Sequence, residues 1–287
     1  IWKGLVGSEM CIRDRMDVVF NDDGEVVRCT GIPHMMLADS FKRKDAEGEQ
    51  VEVEGNERNA IYAEIKADPK LSIIEGDADA AAVLANYNVQ VEEIQSQEIG
   101  TATENLCLSR IPGDSMSSLC SSEATAAYGS DISMLVAHAF REMARASDIA
   151  IHNGGGVRND IAKGDVTAGD AHKLLPFANT LVEMKMTGAE IKAVLEEAMD
   201  FAFQPDGSTG AYPYAAGLRW HVDVSKPMGE RVSGLEYKGR SDNSWVPLGT
   251  NTSYTVVTNS YVAGGRNGYL TFKTVKNDGR SVDTYLN

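Results

Sequence analysis

This sequence lacks several features that mark metal sites, membrane proteins and serine hydrolases. Its 287 residues include four cysteines and five histidines, and no two cysteines form a CxxC pair, which disfavours a zinc site. The histidines show no HxH or HExxH spacing, so we expect no metal centre built from a local motif. No GxSxG elbow occurs, and no apolar run approaches the length of a membrane span.

The chain also has fewer basic than acidic residues. The chain has 27 Lys and Arg against 42 Asp and Glu, which gives a formal net charge of −15. A nucleic-acid partner requires a basic surface, so we expect none; a small anion held in a local pocket remains compatible with this charge. The length and the apolar content of 43% suffice for one large domain, alone or with appendages.

The first fifteen residues carry no structural pattern. The letters MCIRDR can be encoded by a sequence that resembles the end of a transposon-based sequencing adapter, and GLVGSE resembles its upstream part. We therefore interpret residues 1–15 as an assembly artefact and exclude them from fold reasoning. The alternative is a genuine N-terminal strand.

The next segments predict a hairpin and two helices. Two alternating stretches around Asn-Asp-Asp-Gly, within 16–31, are typical of a hairpin. A short helix should end before Pro69 and be followed by a strand. Residues 77–97 contain neither Gly nor Pro and predict a helix that could connect two domains.

From residue 98 onward the pattern changes to an α+β fold with mixed α/β character. A helix is predicted within 129–147, capped by Ser130 or Asp131. Its expected apolar stripe is Ile132, Leu135, Val136, Phe140 and Met143. A second helix should open with a capping box from Thr187 to Glu190. The stretch SYTVVTNSYV predicts a strand that runs into a glycine-rich segment.

The segment HNGGGVRNDI follows a predicted strand and places Gly154, Gly155 and Gly156 between Asn153 and Arg158. Three glycines permit positive φ angles and exposed backbone N–H groups, which can form an anion-binding nest. Arg158 offers a planar fork for phosphate. The pattern is neither a Walker loop nor a GxGxxG fingerprint, and an ordinary structural turn is the alternative.

A second glycine-rich segment, SYVAGGRNGY, has Tyr261 and Tyr269 on either side of Gly264 and Gly265. Together with Phe177 in LLPFANT, it suggests the walls of a slot for a flat ligand, because bases stack well on aromatic rings. The alternative for each ring is core packing. His152, beside Asn153, is interpreted as structural rather than as a general base.

Cys107 and Cys120 flank LSRIPGDSMSSL, a loop whose Pro and Gly would let it fold back on itself. A disulfide between them would fit an oxidising compartment. Two reduced, buried thiols are the alternative.

Four motifs together are recognisable: IAIHNGGGVRNDIAKGDVT, LLPFANTLVEMKMTGAEI, STGAYPYAAGLRW and VVTNSYVAGGRNGY. They resemble, in order, the C-terminal domain of the 5′-nucleotidase family over residues 98–287. The resemblance implies a domain of layered sheets and helices. Residues 16–75 resemble the end of that family's N-terminal metallophosphoesterase domain, and residues 76–97 would be the linker helix.

The resemblance also implies site residues. Asn153 and Arg158 would contact base, ribose or phosphate beside the glycine turn, and Phe177 and Tyr261 would sandwich the base. The chain departs from the family pattern at two places. Asn267 stands where the family usually has an Asp that accepts from the ribose hydroxyls. No Arg occurs shortly before the first helix of the domain, and Arg110 is a possible stand-in. The cysteine loop and GSDISMLVAHAF resemble the NAD nucleotidase branch.

In that family the N-terminal domain binds two divalent metal ions and carries a His/Asp catalytic pair. The resemblance therefore implies a periplasmic or extracellular hydrolase that removes phosphate from nucleotides, with NAD and UDP-sugars as further candidate substrates. This chain would supply the part that binds the nucleotide or nucleoside, and we expect it to be inactive without the metal-binding domain in cis. A non-catalytic nucleotide-binding or surface interaction module of the same fold is the alternative.

Overall fold

The computed structural model describes residues 12–37, 39–44, 50–73 and 77–284. The chain divides into two compact units, residues 1–89 and residues 90–287. Most of the segment interpreted as an adapter artefact lies outside the described residues. Its last residues, from Ile12, belong to the first strand.

The first unit is built on the predicted hairpin. Its elements are β1 (Ile12–Phe20), β2 (Val26–Leu37), β3 (Lys42–Lys44), β4 (Gln50–Glu52), α1 (Gly55–Ala67) and β5 (Leu71–Ile73). The strands β1 and β2 are antiparallel, and Asn21 closes their turn by accepting from the backbone N–H groups of Asp23 and Glu25. The strand β5 pairs with β2 in parallel, and β3 pairs with β4. As predicted, α1 ends before Pro69.

The helix α2 (Ala78–Gln95) contains the boundary between the two units. It forms where the sequence predicts a helix without Gly or Pro. Its side chains are exposed along its whole length, so its apolar residues contribute little to either core.

The second unit combines several sheets with helices, which confirms the α+β prediction. Its elements are β6 (Glu98–Ala102), α3 (Ser122–Thr125), α4 (Asp131–Met143), β7 (Ile149–Asn153), β8 (Gly164–Thr167), α5 (Ala168–Leu174), β9 (Leu181–Thr187), α6 (Gly188–Phe203), β10 (Pro213–Ala216), β11 (Leu218–Val222), β12 (Val232–Tyr237), β13 (Val246–Pro247), β14 (Ser253–Asn259), α7 (Ser260–Ala263), α8 (Leu270–Asn277) and β15 (Ser281–Thr284).

A five-stranded sheet in the order β10-β7-β14-β9-β15 forms the centre of this unit. The strands β7 and β14 are parallel, and the other neighbours are antiparallel. Met184, Met186, Ile191, Leu195 and Phe272 are fully buried where α6 and α8 cover the sheet. Because β7 and β14 are parallel neighbours, their carboxyl ends lie side by side.

Both predicted helix caps are present. The Ser130 side chain accepts from the backbone N–H of Ser133 at the start of α4. Thr187 and Glu190 form the reciprocal capping box of α6, which satisfies two backbone N–H groups at the helix start.

The buried face of α4 agrees only in part with the predicted stripe, of which Ile132 and Val136 are buried as expected. Leu135 and Met143 are 50% and 48% exposed, whereas Ser133, Ala137 and Arg141 are buried. These three residues recur every four positions, so they share the face that packs against β7 and β10. Small and polar side chains on that face hid it from a search for apolar periodicity.

The predicted strand SYTVVTNSYV is also shorter than expected. The strand β14 ends at Asn259, whose side chain accepts from the backbone N–H of Val262 and caps α7. The residues Ser260 and Tyr261 therefore lie on a helical turn rather than on the strand.

Candidate functional site

Two asparagines lie at the carboxyl ends of the parallel strands β7 and β14. The Nδ2 of Asn259 donates to Oδ1 of Asn153 at 3.1 Å, and both side chains are 4% exposed. The Oδ1 of Asn259 accepts from Val262, so its amide is oriented from both ends. Asn259 was missed by the sequence reasoning, although an Asn directly after an apolar strand is a common helix N-cap.

The glycine turn Gly154–Gly156 is a short 3-10 turn next to Asn153. None of the three glycines has φ in the left-handed region, so positive φ is not what requires them. A Cβ on Gly155 would lie 3.0 Å from the Cα of Gly210, which allows no side chain without displacement. The N–H of Gly154 already donates to the carbonyl of Tyr212, so it is not part of a free anion nest.

Arg158 and Phe177 contact each other beside this turn. The Arg158 guanidinium lies 5.7 Å from the centroid of the Phe177 ring, and its Nη1 donates to the carbonyl of Gly155 at 3.5 Å. The Phe177 side chain is 51% exposed, so core packing does not explain it. A cavity of about 730 Å³ borders the ring, and Leu175 and Pro176 also line it.

Backbone and side-chain hydrogen bonds fasten the Phe177 loop to the start of α7. The N–H of Ser260 donates to the carbonyl of Thr180 at 2.8 Å, and the N–H of Thr180 donates to Oγ of Ser260 at 3.2 Å. The Ser260 hydroxyl also donates to Oδ1 of Asn179 at 3.3 Å. Since Tyr261 follows Ser260, these bonds bring the segment of Phe177 to that of Tyr261.

The Tyr261 ring is 43% exposed, and its hydroxyl donates to Oδ1 of Asn267 at 3.2 Å. Asn267 has φ 55°, a left-handed conformation that Asn adopts more readily than most residues. Gly265, with φ 84°, shapes the same turn, and Gly264 ends α7. The structure thus joins Tyr261 and Asn267 directly.

Tyr269 is not a wall of the slot, contrary to the expectation that it flanks the ligand with Tyr261. Its ring is fully buried and stacks on Phe272 at 5.6 Å, and its hydroxyl donates to the carbonyl of Ala211 at 2.8 Å. Burial raises the pKa of the Tyr269 hydroxyl well above its ordinary value. Tyr269 is therefore a core residue.

Cys107 and Cys120 are joined by a disulfide with a Cα–Cα distance of 6.0 Å, as predicted. The loop that it closes is held by Asp160, whose carboxylate accepts from the backbone N–H groups of Leu108 and Ser118. The carbonyl oxygen of Arg110 would lie 3.4 Å from a Cβ on Gly154. The backbone of Arg110 is therefore adjacent to the glycine turn.

His152 is a structural residue, in line with the sequence interpretation. The imidazole is 1% exposed, its Nε2 lies 2.8 Å from the carbonyl of Ser133, and its Nδ1 lies 3.0 Å from the carbonyl of Asn153. Burial lowers the pKa of His152 below its ordinary value. The ring fastens β7 to α4 and has no exposed nitrogen for proton transfer.

Within the described ranges, no group of three or more His, Cys, Asp or Glu side chains could hold a metal ion. Asp170 and His172 form an Asp-x-His pair, a spacing that can supply two metal ligands. The Asp170 carboxylate, however, is engaged in the capping box of α5 with Thr167. The described part of the chain also contains no helix long and apolar enough to cross a membrane.

The fold and these contacts define an α+β domain in which exposed aromatic rings lie on segments next to the ends of sheet strands, where small ligands commonly bind. The profile of the family described as "5'-nucleotidase, C-terminal domain" matches residues 98–274. The chain therefore belongs to this family.

Two curated relatives match nearly the whole chain. The NAD 5'-nucleotidase of Haemophilus influenzae is 35% identical over 275 residues, which cover 94% of this chain and 45% of that protein. A probable 5'-nucleotidase of Treponema pallidum is 32% identical over 282 residues, 94% of this chain and 46% of that protein. The chain thus spans about half the length of the curated relatives it matches.

Two solved structures also match nearly the whole of this chain and less than half of their own length. The NAD nucleotidase of Haemophilus influenzae superposes with a TM-score of 0.57 at 34% identity, covering 96% of this chain and 48% of that one. A 5'-nucleotidase precursor from Thermus thermophilus superposes with a TM-score of 0.59 at 27% identity, covering 96% and 44%.

Proposed function

We propose that this chain is the substrate-binding part of a longer 5′-nucleotidase-type hydrolase that removes phosphate from nucleotides. The observation that carries the proposal is the pair of exposed rings, Phe177 and Tyr261, on segments that Ser260 fastens together. Exposed aromatic rings at a strand end suit base stacking. The similarity to an NAD 5'-nucleotidase makes NAD a further candidate substrate, and UDP-sugars remain another.

In this proposal each residue has a chemical role. Phe177 and Tyr261 stack on the base, while Asn267 accepts from a ribose hydroxyl with an amide oxygen that now bonds Tyr261. Arg158 turns from the Phe177 face to the phosphate, a group that its planar fork fits. Asn153 and Gly154–Gly156 form the floor of the proposed nucleotide site. Arg110 adds a second guanidinium from the disulfide loop.

The hydrolytic step is assigned to a preceding metallophosphoesterase domain that would hold two divalent metal ions. The described residues of this chain do not fit such a centre. A periplasmic or extracellular location is proposed as well, supported by the disulfide between Cys107 and Cys120, since such bonds persist in oxidising compartments.

Calorimetric titration of the full chain with adenosine and AMP tests the proposal. We expect binding by the wild type and a loss of about tenfold in affinity for Phe177→Ala or Tyr261→Ala, because stacking contributes roughly 1–3 kcal/mol per base. Tyr128→Ala is the matched control, since Tyr128 is 81% exposed and lies outside the site. Absence of binding at millimolar ligand, or equal losses in all three variants, would overturn the proposal.

A further inference from the structure

A second cavity lies at the opposite end of β7 from the Asn153–Asn259 pair. In the antiparallel pairing of β10 with β7, Pro213 lies opposite Asn153 and Ala216 lies opposite Ala150. Gly217, which follows β10, therefore lies near the start of β7, roughly 13 Å away at 3.3 Å per residue. The cavity beside Gly217 has a volume of about 410 Å³, within the range of small-molecule sites.

Basic residues dominate the polar lining of this cavity. The basic lining residues are His138, Arg141, Arg219, Lys238 and Arg240, and Trp245 also lines the cavity. Such a concentration of positive charge is unusual in a chain with a net charge of −15.

Arg141 is the most unusual member of this group. Its side chain comes from α4 and is 8% exposed, yet its Nε has no hydrogen-bond partner among the described residues. Nη2 donates to the carbonyl of Lys238 at 3.0 Å. A Cβ on Gly217, which has φ 76°, would lie 2.8 Å from the Arg141 Cζ, so this glycine makes room for the guanidinium. An unsatisfied buried donor on a charged group is costly, and a negative charge in the adjacent cavity would offset the charge of the guanidinium.

The carboxylates nearby are already engaged. Glu236 pairs with Arg219 at 2.7 Å, and Glu142 pairs with Arg240 at 2.8 Å. Asp148 accepts from the N–H of Thr255 at 2.9 Å and from the Tyr237 hydroxyl at 3.3 Å.

Among the described residues, the lining of the cavity itself contains no Asp or Glu, so the charged side chains that border it are all basic. Desolvation, followed by the charge of Arg240, lowers the pKa of Arg141 below its ordinary value, while Tyr237, Glu142 and Asp148 act in the opposite direction. Lys238 forms no ion pair within the part of the chain that the structure describes.

We propose that this cavity binds a small molecule through a phosphate monoester group. The Arg141 guanidinium and Lys238 would supply the donors to the oxyanion, and the exposed His138 also lines the cavity. One face of the Trp245 ring is covered by the Arg219 guanidinium at 4.6 Å from its centroid, so the indole reports on charge entering the cavity. This site is separate from the nucleotide site and does not depend on the proposed function.

The test uses the full chain and two probes, phenyl phosphate and phenol, while the indole N–H of Trp245 is followed by NMR. Trp245→Phe assigns the signal. We expect a saturable shift with phenyl phosphate and none with phenol. Lys238→Ala should weaken binding by about tenfold, as expected for a hydrogen bond to a charged group. Lys185→Ala, which removes an exposed lysine from β9, should leave it unchanged.

The controls keep this proposal separate from the first. Phe177→Ala should not alter the Trp245 shift, and the urea midpoint of Lys238→Ala must match the wild type. A shift that does not saturate, equal weakening by Lys185→Ala and Lys238→Ala, or a shift lost in Phe177→Ala would overturn the proposal. Arg141→Lys, which retains the charge but not the guanidinium, should weaken the binding of phenyl phosphate if the protein still folds.

Discussion

The amide of Asn259 donates to the amide oxygen of Asn153 at 3.1 Å across two parallel strands. Asn259 also caps α7, the helix that carries Tyr261, while Asn153 begins the glycine turn. One side chain thus fixes the relative positions of the glycine turn and of α7, which carry several of the residues proposed to bind the nucleotide. The contact is buried, so neither amide exchanges its partner for water without cost.

Replacing Asn259 should therefore affect both stability and binding. For Asn259→Ala we expect the free energy of unfolding to fall by about 1–2 kcal/mol, since an N-cap and a buried hydrogen bond are lost together. Asn259→Ser retains a capping oxygen but cannot reach Asn153. It should recover part of the stability and still bind AMP more weakly than the wild type. Urea unfolding and calorimetry measure both effects, and wild-type affinity in Asn259→Ser would contradict this account.

Arg158→Ala should discriminate between AMP and adenosine. If the guanidinium leaves the Phe177 face to bind phosphate, the affinity for AMP should fall by about tenfold or more, while that for adenosine changes little. Arg158→Lys keeps the charge without the planar fork, so its affinity for AMP should lie between those of the wild type and Arg158→Ala. Equal losses for AMP and adenosine would instead mean that Arg158 acts by ordering the Phe177 ring.

The disulfide gives a prediction about stability that is independent of ligand. Replacing Cys107 and Cys120 together by Ser should lower the free energy of unfolding by about 3 kcal/mol in the chain-entropy model. The loop is also held by Asp160, so we expect the folded state to persist. Non-reducing peptide mapping of the wild type is the companion measurement. Free thiols at both positions in oxidised protein would contradict the pairing.

Local rules predicted local features well. The capping box of Thr187 and Glu190 follows from residue types three positions apart, and the first hairpin follows from its turn. The distinction between Tyr261 and Tyr269 could not be predicted in this way. Both flank the same glycines, but Tyr269 stacks on Phe272 in the core, and its hydroxyl donates to the carbonyl of Ala211, which is distant in sequence.

The glycine turn is a second feature that local sequence rules could not predict. Its sequence suggested positive φ angles, whereas Gly155 is required because any Cβ at this position would lie 3.0 Å from the Cα of Gly210. Likewise, the buried face of α4 contains Ser133 and Arg141, which no apolar pattern would select. Close approaches between distant segments decide these positions, and a single sequence does not show such approaches.

Acid sensitivity should depend on the ion pair between Glu190 and Arg280. Hydrogen bonds from Arg280, at 2.7 and 3.1 Å, are the largest cause that lowers the pKa of Glu190 from 4.5 to about 2, and those from Thr187 are part of the same shift. Because the pKa is lower in the folded state, this stabilisation is fully present above pH 4.5. It is lost as the pH falls toward 2.

Glu190→Gln keeps an oxygen for the capping box but removes the charge. The difference in unfolding free energy between wild type and variant should be largest near neutral pH and should shrink as the pH falls from 4.5 to about 2. Arg280→Ala removes the other partner of the ion pair and should reduce the same pH dependence of the unfolding free energy. Urea unfolding at a series of pH values measures both. Parallel stability curves for wild type and Glu190→Gln through this acid range would show that the ion pair does not stabilise the fold.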